Sequence, residues 1–398
     1  MAGLLVLGLV AVCAAVAWPH DSTLVPENGG RAYGAARWAI VFLCCEIAAF
    51  IIYCAGVYLL DLHRARLAHV AVIAAAVQLV PLGAPLLLST DAWTYWDYGR
   101  IAAVHDANPY VKTPRAYPHD PAFRYAGREW RRSTTVYGPA FTLASEPLAL
   151  ADGRSPNAAA WTYKTIAAAA SLGAATLAAF LARRKAFACA FVGWNPLLAL
   201  HLAGGGHNDA WMAVLVMGAL GVAVAGRRHW AGALWALAVL VKWIPLLFLP
   251  LRFLAARATG RRVGHLGFAA AAACLAAIST WQFGLHWLGA FGPLAANASK
   301  ETSFALPHRL QQLGLPEWFS LASALTAYVM LYLWLLREAR AGRARLGLAA
   351  GFLLLVTPYL WPWYLIWVVP LAAAEEDRPA QWLALGMSAY LLGQTIPF

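Results

Sequence analysis

The stretch "HWAGALWALAVLVKWIPLLFLPLRFLAA", residues 229–256, decides the fold. It holds two apolar runs, 229–241 and 244–256, each shorter than the ~20 residues a straight membrane span needs. Pro245 stands at their junction, and a proline lacks the N–H that a continuous helix would use. Broken helices at membrane depth are tolerated where they are buried in protein or line a cavity. Lys242 sits at this break. A cation near membrane depth costs roughly 2.5–3.5 kcal/mol on insertion scales, so it marks a functional candidate. The alternative is a lysine that snorkels to the interface.

Outward from this stretch the pattern repeats. Further apolar segments run over 2–18, 37–60, 67–88, 158–182, 186–203, 207–226, 263–283, 318–337, 346–360, 362–374 and 380–397. The pair 346–360 and 362–374 meets at "LWPWY", with Pro362 at the junction. The chain of 398 residues is 62% hydrophobic and only 12% charged, about half the charge of a soluble domain. Its mean hydropathy of +0.60 points the same way. The expectation is an all-α, polytopic membrane protein forming a single domain over 1–398, with the lipid bilayer as its surroundings.

The net charge of +12 would suggest nucleic acid in a soluble protein. Here much of it lies in short loops: Arg64/Arg66, Arg183/Arg184/Lys185, Arg227/Arg228, Arg252/Arg257/Arg261/Arg262 and Arg337/Arg340/Arg343/Arg345. Basic short loops mark the cytoplasmic side, so no nucleic-acid partner is expected. With a cytoplasmic N-terminus, the segments above put all these clusters on one side. The first 18 residues carry no Lys or Arg and are expected to be an uncleaved first span. The six cysteines all lie in apolar segments without a CxxC pair, which suggests neither a disulfide framework nor a metal site.

This topology leaves two external loops, 89–157 and 284–317. Within the first, "YGPAFTLASEPLALA" at 137–151 is apolar but short, with Glu146 and Pro147 near its middle. It is expected to be an interfacial helix rather than a span. The second loop carries His308 and Arg309.

Four stretches carry candidate chemistry. In "STDAWTYWDYGR", 89–100, a helix from residue 92 would place Asp91, Tyr95 and Tyr98 near one face and Asp97 elsewhere. The plain reading makes Asp91 a helix cap and Asp97 a solvated charge. Arg124, Arg128, Arg131 and Arg132 form a basic patch suited to an anionic headgroup or to interfacial anchoring. In "GGGHNDAWM", 204–212, glycines allow close backbone approach, and His207, Asn208 and Asp209 offer groups for a sugar, a phosphate or a metal. Asp209 as a helix cap is the simpler alternative. "TPYLWPWYLIW", 357–367, brings Trp361, Trp363 and Tyr364, either as an aromatic belt or as faces that stack on sugar. Glu46, mid-span, is read as a structural partner.

Taken in order, "TDAWTYWDYGR…NPY…WRRSTTVYGP" and "GGGHNDAWM" resemble the polyprenyl-phosphate-mannose-dependent α-1,6-mannosyltransferases of actinobacteria, within the GT-C superfamily. "VKWIPLLFLP" and "PYLWPWYLIWVVP" resemble segments shared with protein O-mannosyltransferases and related lipid-linked-sugar enzymes. The resemblance implies a GT-C fold with about 11–13 transmembrane or half-membrane helices and external interfacial helices. It implies an active site on the external face, a polyprenyl-phosphate sugar donor, inversion at the anomeric centre, and a catalytic carboxylate early in the first external loop, here Asp91. His207, Asn208 and Asp209 match a second shared cluster.

That chemistry is self-consistent. A carboxylate within ~3 Å of an acceptor hydroxyl takes its proton as the bond forms. The leaving lipid phosphate is already anionic, so no second carboxylate is needed as acid. Lys242, His308, Arg309 or the 124–132 arginines would stabilise it. Tyr95, Asp97 and Tyr137 join the candidate substrate contacts. The sequence leaves divalent-metal use open. The expectation is a hexosyltransferase, with mannose as the sugar and an envelope glycan or glycolipid as acceptor. The competing reading is a transporter or flippase of lipid-linked sugars, since transporters also use broken helices with intramembrane charges.

Overall fold

The computed structural model describes residues 1–63, 65–298 and 300–398, so Arg64 of the first basic cluster lies outside the described residues. The chain is all-α. Its helices are α1 (Ala2–Ala15), α2 (Ala36–Leu62), α3 (Leu67–Leu79), α4 (Asp91–Ala103), α5 (Pro139–Asp152), α6 (Pro156–Leu181), α7 (Lys185–Gly193), α8 (Pro196–Leu202) and α9 (Asp209–Val224). They continue as α10 (Arg228–Val241), α11 (Phe248–Ala258), α12 (His265–Phe283), α13 (Phe291–Ala298), α14 (Leu306–Gln312), α15 (Glu317–Arg340), α16 (Leu346–Val356), α17 (Val369–Glu375) and α18 (Arg378–Leu391). Among the described residues there is no strand, only two isolated bridges in the α1–α2 connection.

Among the described residues, four helices are long and apolar enough to cross a membrane: Ala36–Leu62, Pro156–Leu181, the stretch His265–Ala296 and Glu317–Arg340. Several others are shorter because they are broken. The quoted stretch is one such case. α10 stops at Val241, Lys242 is extended (φ −152°, ψ 135°), and a 3₁₀ turn at Ile244–Leu247 leads into α11. The second break has the same form, with a 3₁₀ turn at Pro362–Trp367 between α16 and α17. The segment 186–203 is also two helices, since Pro196 starts α8 and Asn195 Oδ1 accepts from the Leu198 N–H.

The 137–151 stretch is helical, as α5, and packs against α4, α6, α10 and α12. Pro147 lies inside it. Residues 284–317 are largely helical, through a 3₁₀ turn at Gly284–Ala290, α13 and α14. One continuous cluster of buried apolar residues runs from Val6 to Ile396. Glu46 is buried in α2 and accepts from the Gly393 N–H at 3.3 Å, tying α2 to the chain end.

At the end of the bundle where α2, α6 and α15 terminate, arginines meet carboxylates. Arg184 and Arg378 pair with Asp61, Arg184 with Glu376, Arg345 with Asp377, and Arg343 with Glu338.

Candidate active-site cavity

The site begins with the segment that delivers α4. Leu88 is in the left-handed region (φ 60°), and the N–H groups of Leu87 and Leu88 donate to Gly204 and Leu24 carbonyls. Beneath it the buried Lys164 of α6 donates to the carbonyls of Leu82 and Ala84 at 3.2 and 2.5 Å. A buried ammonium without a carboxylate must satisfy its protons on carbonyl oxygens, so Lys164 pins the approach to α4. Ser89 Oγ then accepts from the Asp91 N–H at 3.2 Å.

Asp91 is therefore not the cap. Thr90 holds the N-cap position, and Asp91 is the first helical residue, where the helix dipole favours a negative charge. Its Oδ2 receives two groups: His207 Nδ1 at 3.1 Å and the Tyr95 hydroxyl at 3.3 Å. The Tyr95 hydroxyl also reaches Asn208 Oδ1 at 3.4 Å, so its single proton is shared between two acceptors. Asp91 Oδ1 makes no hydrogen bond among the described residues, and the side chain keeps 16% of its exposure, toward a cavity.

The "GGG" run makes this geometry. Gly206 is left-handed (φ 74°), and a Cβ there would press on Ala92 Cβ and the Lys164 N atom, both at 3.2 Å. A Cβ on Gly205 would crowd the His207 ring at 2.9 Å. The glycines thus permit close approach, but to α4, α6 and the imidazole rather than to a ligand. His207 is fully buried and stacks on Trp363 with centroids 3.7 Å apart and planes at 12°. Trp361 stacks next on Trp363 at 4.9 Å. His207 Nε2 is buried without a hydrogen-bond partner. A neutral His207 therefore carries its proton on Nδ1 and donates it to Asp91.

Asp209 is the first residue of α9, not its cap. Its Oδ1 accepts from Lys242 Nζ at 2.6 Å and from Trp367 Nε1 at 2.7 Å. The Lys242 ammonium also lies 5.2 Å from the Tyr364 ring centroid and 5.6 Å from that of Trp367. So the two helix breaks meet. One supplies the cation, the other the aromatic faces around it, and the Lys242 side chain remains 17% exposed on the cavity wall. Gly138 seats the first break: its N–H donates to the Val241 carbonyl at 3.2 Å, and a Cβ would overlap the Leu240 carbonyl oxygen.

These residues line a cavity of about 460 Å³ that includes Asp91, Tyr137, Lys242, Trp361, Trp363 and Tyr364. That volume accommodates one small ligand. Tyr137 meets Tyr95 edge-on at 5.1 Å. The cavity lining also includes residues that are not among the sequence candidates, notably Glu129, Arg31 and Tyr359. Glu129 opens onto the same space as Asp91. The protein around it and the charge of Asp91 raise its carboxyl above the ordinary range. Its signal was an acid beside Trp130, hidden in a run of arginines. Arg31 comes from the α1–α2 connection, a stretch without motif, and its guanidinium makes no hydrogen bond among the described residues.

Other candidates lie elsewhere. Asp97 is 1% exposed rather than solvated, because Ala92–Ala102 of α4 is buried on every face. Neither of its oxygens has a hydrogen-bond partner, and burial, then the nearby Asp120 charge, push its carboxyl up to about 8. It does not line the cavity. His308 contacts Glu301 at 3.1 Å, and Arg309 donates to Tyr390 and Gln312, so both are held outside the cavity lining. The second loop reaches the cavity instead through Leu294, which lines it, and through Phe304, edge-on to Trp361. Three of the four arginines of the expected headgroup patch are engaged internally, Arg124 donating to Asn28 Oδ1 and Arg128 and Arg131 to the Asn28 carbonyl, while Arg132 is exposed. They clamp the 27–30 turn that forms part of the rim. Among the described residues, no three His, Cys, Asp or Glu side chains converge to hold a metal ion.

Fold and cavity together define an all-helical membrane protein whose broken helices build an aromatic-walled cleft lined by two acids and two cations. The family described as "Alpha-(1->6)-mannopyranosyltransferase, N-terminal domain" matches residues 1–258, and the chain belongs to it. The match includes Asp91, His207 and Lys242 but ends before the 357–367 aromatic wall. The chain is also 26% identical to a protein of Mycolicibacterium smegmatis described as "Probable alpha-(1->6)-mannopyranosyltransferase", the match covering 74% of this chain and 63% of that protein. The chain thus spans less than two thirds of that relative's length. No solved structure matches it.

Proposed function

We propose that this chain is a membrane mannosyltransferase. It transfers mannose from a polyprenyl-phosphate donor to a hydroxyl of a cell-envelope glycan or glycolipid by a single inverting displacement. The observation that carries the reading is the asymmetry of Asp91. One oxygen is held by His207 and Tyr95, and the other faces the cavity free of hydrogen bonds among the described residues. A carboxylate held in this way is oriented to take the acceptor proton as the new glycosidic bond forms. His207 keeps hydrogen-bonding Oδ2 while Oδ1 takes the proton.

The bond that breaks joins the anomeric carbon to the phosphate oxygen, and its electron pair leaves on phosphate. Lys242 is the cation for that developing charge, and its two protons not given to Asp209 are available to phosphate oxygens. Arg31 on the same wall is a second candidate. The stacked Trp361 and Trp363 supply apolar faces for the sugar, and Glu129 an acceptor for its hydroxyls. Family membership supports mannose as the sugar.

In this reading the chain is one integral membrane domain with a cytoplasmic N-terminus. Residues 89–157 and 284–317 form the external surface around the cavity, and α5 is an interfacial helix rather than a span. The test incubates purified protein with polyprenyl-phosphate mannose, glucose or arabinose and envelope glycolipid, with products read by mass. Mannose transfer that Asp91→Asn abolishes is the expected result. Transfer from none of the donors, with flux of lipid-linked sugar across vesicles instead, would overturn the proposal in favour of a transporter.

A further inference from the structure

A second, open cavity lies at the other end of α10, its basic side chains exposed. Helix α10 is 14 residues long, so Arg228 at its start lies about 20 Å from Lys242 at its end. Around that start is a cavity of about 450 Å³, lined by Arg228, His229, Arg257, Arg261, Arg262 and His265 together with apolar side chains. None of its lining residues is acidic.

The sequence brings these cations together by close helix packing. Cβ atoms on Gly232, Gly264 and Gly267 would overlap the carbonyl oxygens of Gly264, Arg228 and His229. Only glycines allow α10 and α12 this approach, and it draws Arg228 and His229 against His265 and the 257–262 arginines. Guanidinium groups do not deprotonate in proteins, so the cluster cannot shed its repulsion. Arg184, Arg343, Arg345 and Arg378 all have carboxylate partners. Arg228, Arg257, Arg261 and Arg262 have none among the described residues. The fold assembles a multivalent anion site and leaves its counter-charge to come from outside.

An adjoining groove of about 350 Å³ names the kind of anion. It runs between α10, α11 and α12, is lined by Trp235, Leu249, Pro250, Arg252 and Phe268, with the Arg252 guanidinium 5.3 Å over the Trp235 ring, and shares Phe253, Val263 and His265 with the basic cavity. A free phosphate would fill the basic cavity and leave this groove empty. An acyl chain would cover it. Basic pockets between membrane helices suit anionic lipid headgroups. We propose that α10, α11 and α12 form a binding site for one anionic glycerophospholipid, its phosphate among Arg228, Arg257, Arg261 and Arg262 and its acyl chain along Leu249, Pro250 and Phe268. The site is separate from the proposed catalytic cavity and does not depend on that assignment.

The test is native mass spectrometry of the full chain in nanodiscs of phosphatidylcholine doped with phosphatidylglycerol. Wild type should retain phosphatidylglycerol at least tenfold better than phosphatidylcholine. R257Q/R261Q/R262Q should lose that preference, and R257K/R261K/R262K should keep most of it. In parallel, a photoactivatable phosphatidylglycerol on wild-type protein should cross-link to residues 228–268, a readout independent of how the variants fold. Equal retention by wild type and the Gln variant, or cross-links concentrated elsewhere, would overturn the proposal. So would inorganic phosphate or glycerophosphoglycerol competing as well as the intact lipid, since the groove would then contribute nothing.

Discussion

Lys242 is assigned two tasks, and replacing it by Gln separates them. The structural task is to neutralise Asp209, whose side chain is 1% exposed and whose Oδ2 is buried without a partner. In Lys242→Gln the carboxylate keeps the Trp367 indole N–H, at 2.7 Å, but loses its counter-charge. Removing one partner of a buried pair costs roughly 3–5 kcal/mol, because the remaining charge stays desolvated. Adding Asp209→Asn removes that charge. The double variant then lacks mainly a hydrogen bond, worth about 1 kcal/mol. The two substitutions should therefore couple by roughly 2–4 kcal/mol, with the double variant more stable than the Gln single variant.

The catalytic task is read on the same proteins. If Lys242 stabilises the leaving phosphate, the double variant should fold and insert yet transfer sugar roughly 10²-fold more slowly, as when one charge-stabilising donor is lost. The loss should fall on turnover of the polyprenyl-phosphate donor and spare the acceptor KM. Unfolding in detergent followed by circular dichroism gives the stability cycle, and transfer from polyprenyl-phosphate mannose gives the rates. A Lys242→Gln protein within 1 kcal/mol of wild type would refute the buried-pair argument. Wild-type turnover in the double variant would refute the phosphate assignment.

Three further outcomes are expected. Asp91→Asn keeps the shape of the side chain but cannot take a proton, so transfer should fall by about 10²–10⁴-fold with unfolding unchanged; residual turnover above a tenth of wild type would remove Asp91 as the base. Asp97 has its carboxyl raised to about 8, so the folded chain holds its proton more tightly than the unfolded chain between pH ~4 and 8, and stability should fall as pH rises through that window. Asp97→Asn should flatten this fall and be the more stable protein above pH ~8, and parallel unfolding curves for the two proteins would count against it. Gly138→Ala forces a methyl into the Leu240 carbonyl, so it should cost about 1–3 kcal/mol and displace Lys242, lowering donor turnover along with stability.

Much of the site was legible where one physical cost stood out in the sequence. A lysine and a proline at the centre of an apolar pair cannot sit in an unbroken lipid-facing helix, and Lys242 indeed lies at an extended break. The same reasoning located the turn at Pro362–Trp367. Helical spacing placed Asp91 with Tyr95 and separated both from Asp97. Charge type alone was a poorer guide. His308, Arg309 and the arginines at 124, 128 and 131 suit phosphate by chemistry, but other groups of the fold use them: Glu301 seven residues away, and Tyr390 and Asn28 far along the chain. Asp97 was read either as a solvated charge or as a substrate contact, and the packing of α4 on all sides instead buries it away from the cavity.

The residues that sequence reasoning missed share a cause. Lys164, Glu129 and Arg31 act across the fold rather than along it. Lys164 matters because the 82–85 carbonyls are turned toward it, and nothing in "WTYKT" records that. Arg31 and Glu129 line one cavity, and arginines from the loop of Glu129 hold the loop of Arg31 at Asn28. Breaking a helix is a local event that one proline can encode. Converging two breaks on Asp209 is not, since the 2.6 and 2.7 Å contacts bring together residues 33 and 158 positions away in the chain. A buried acid with two such partners therefore ties the breaks together. If so, Asp209→Ala should loosen both breaks at once, and hydrogen exchange at 242–247 and 361–367 should rise together; a rise at one break alone would show that each is held by its own proline.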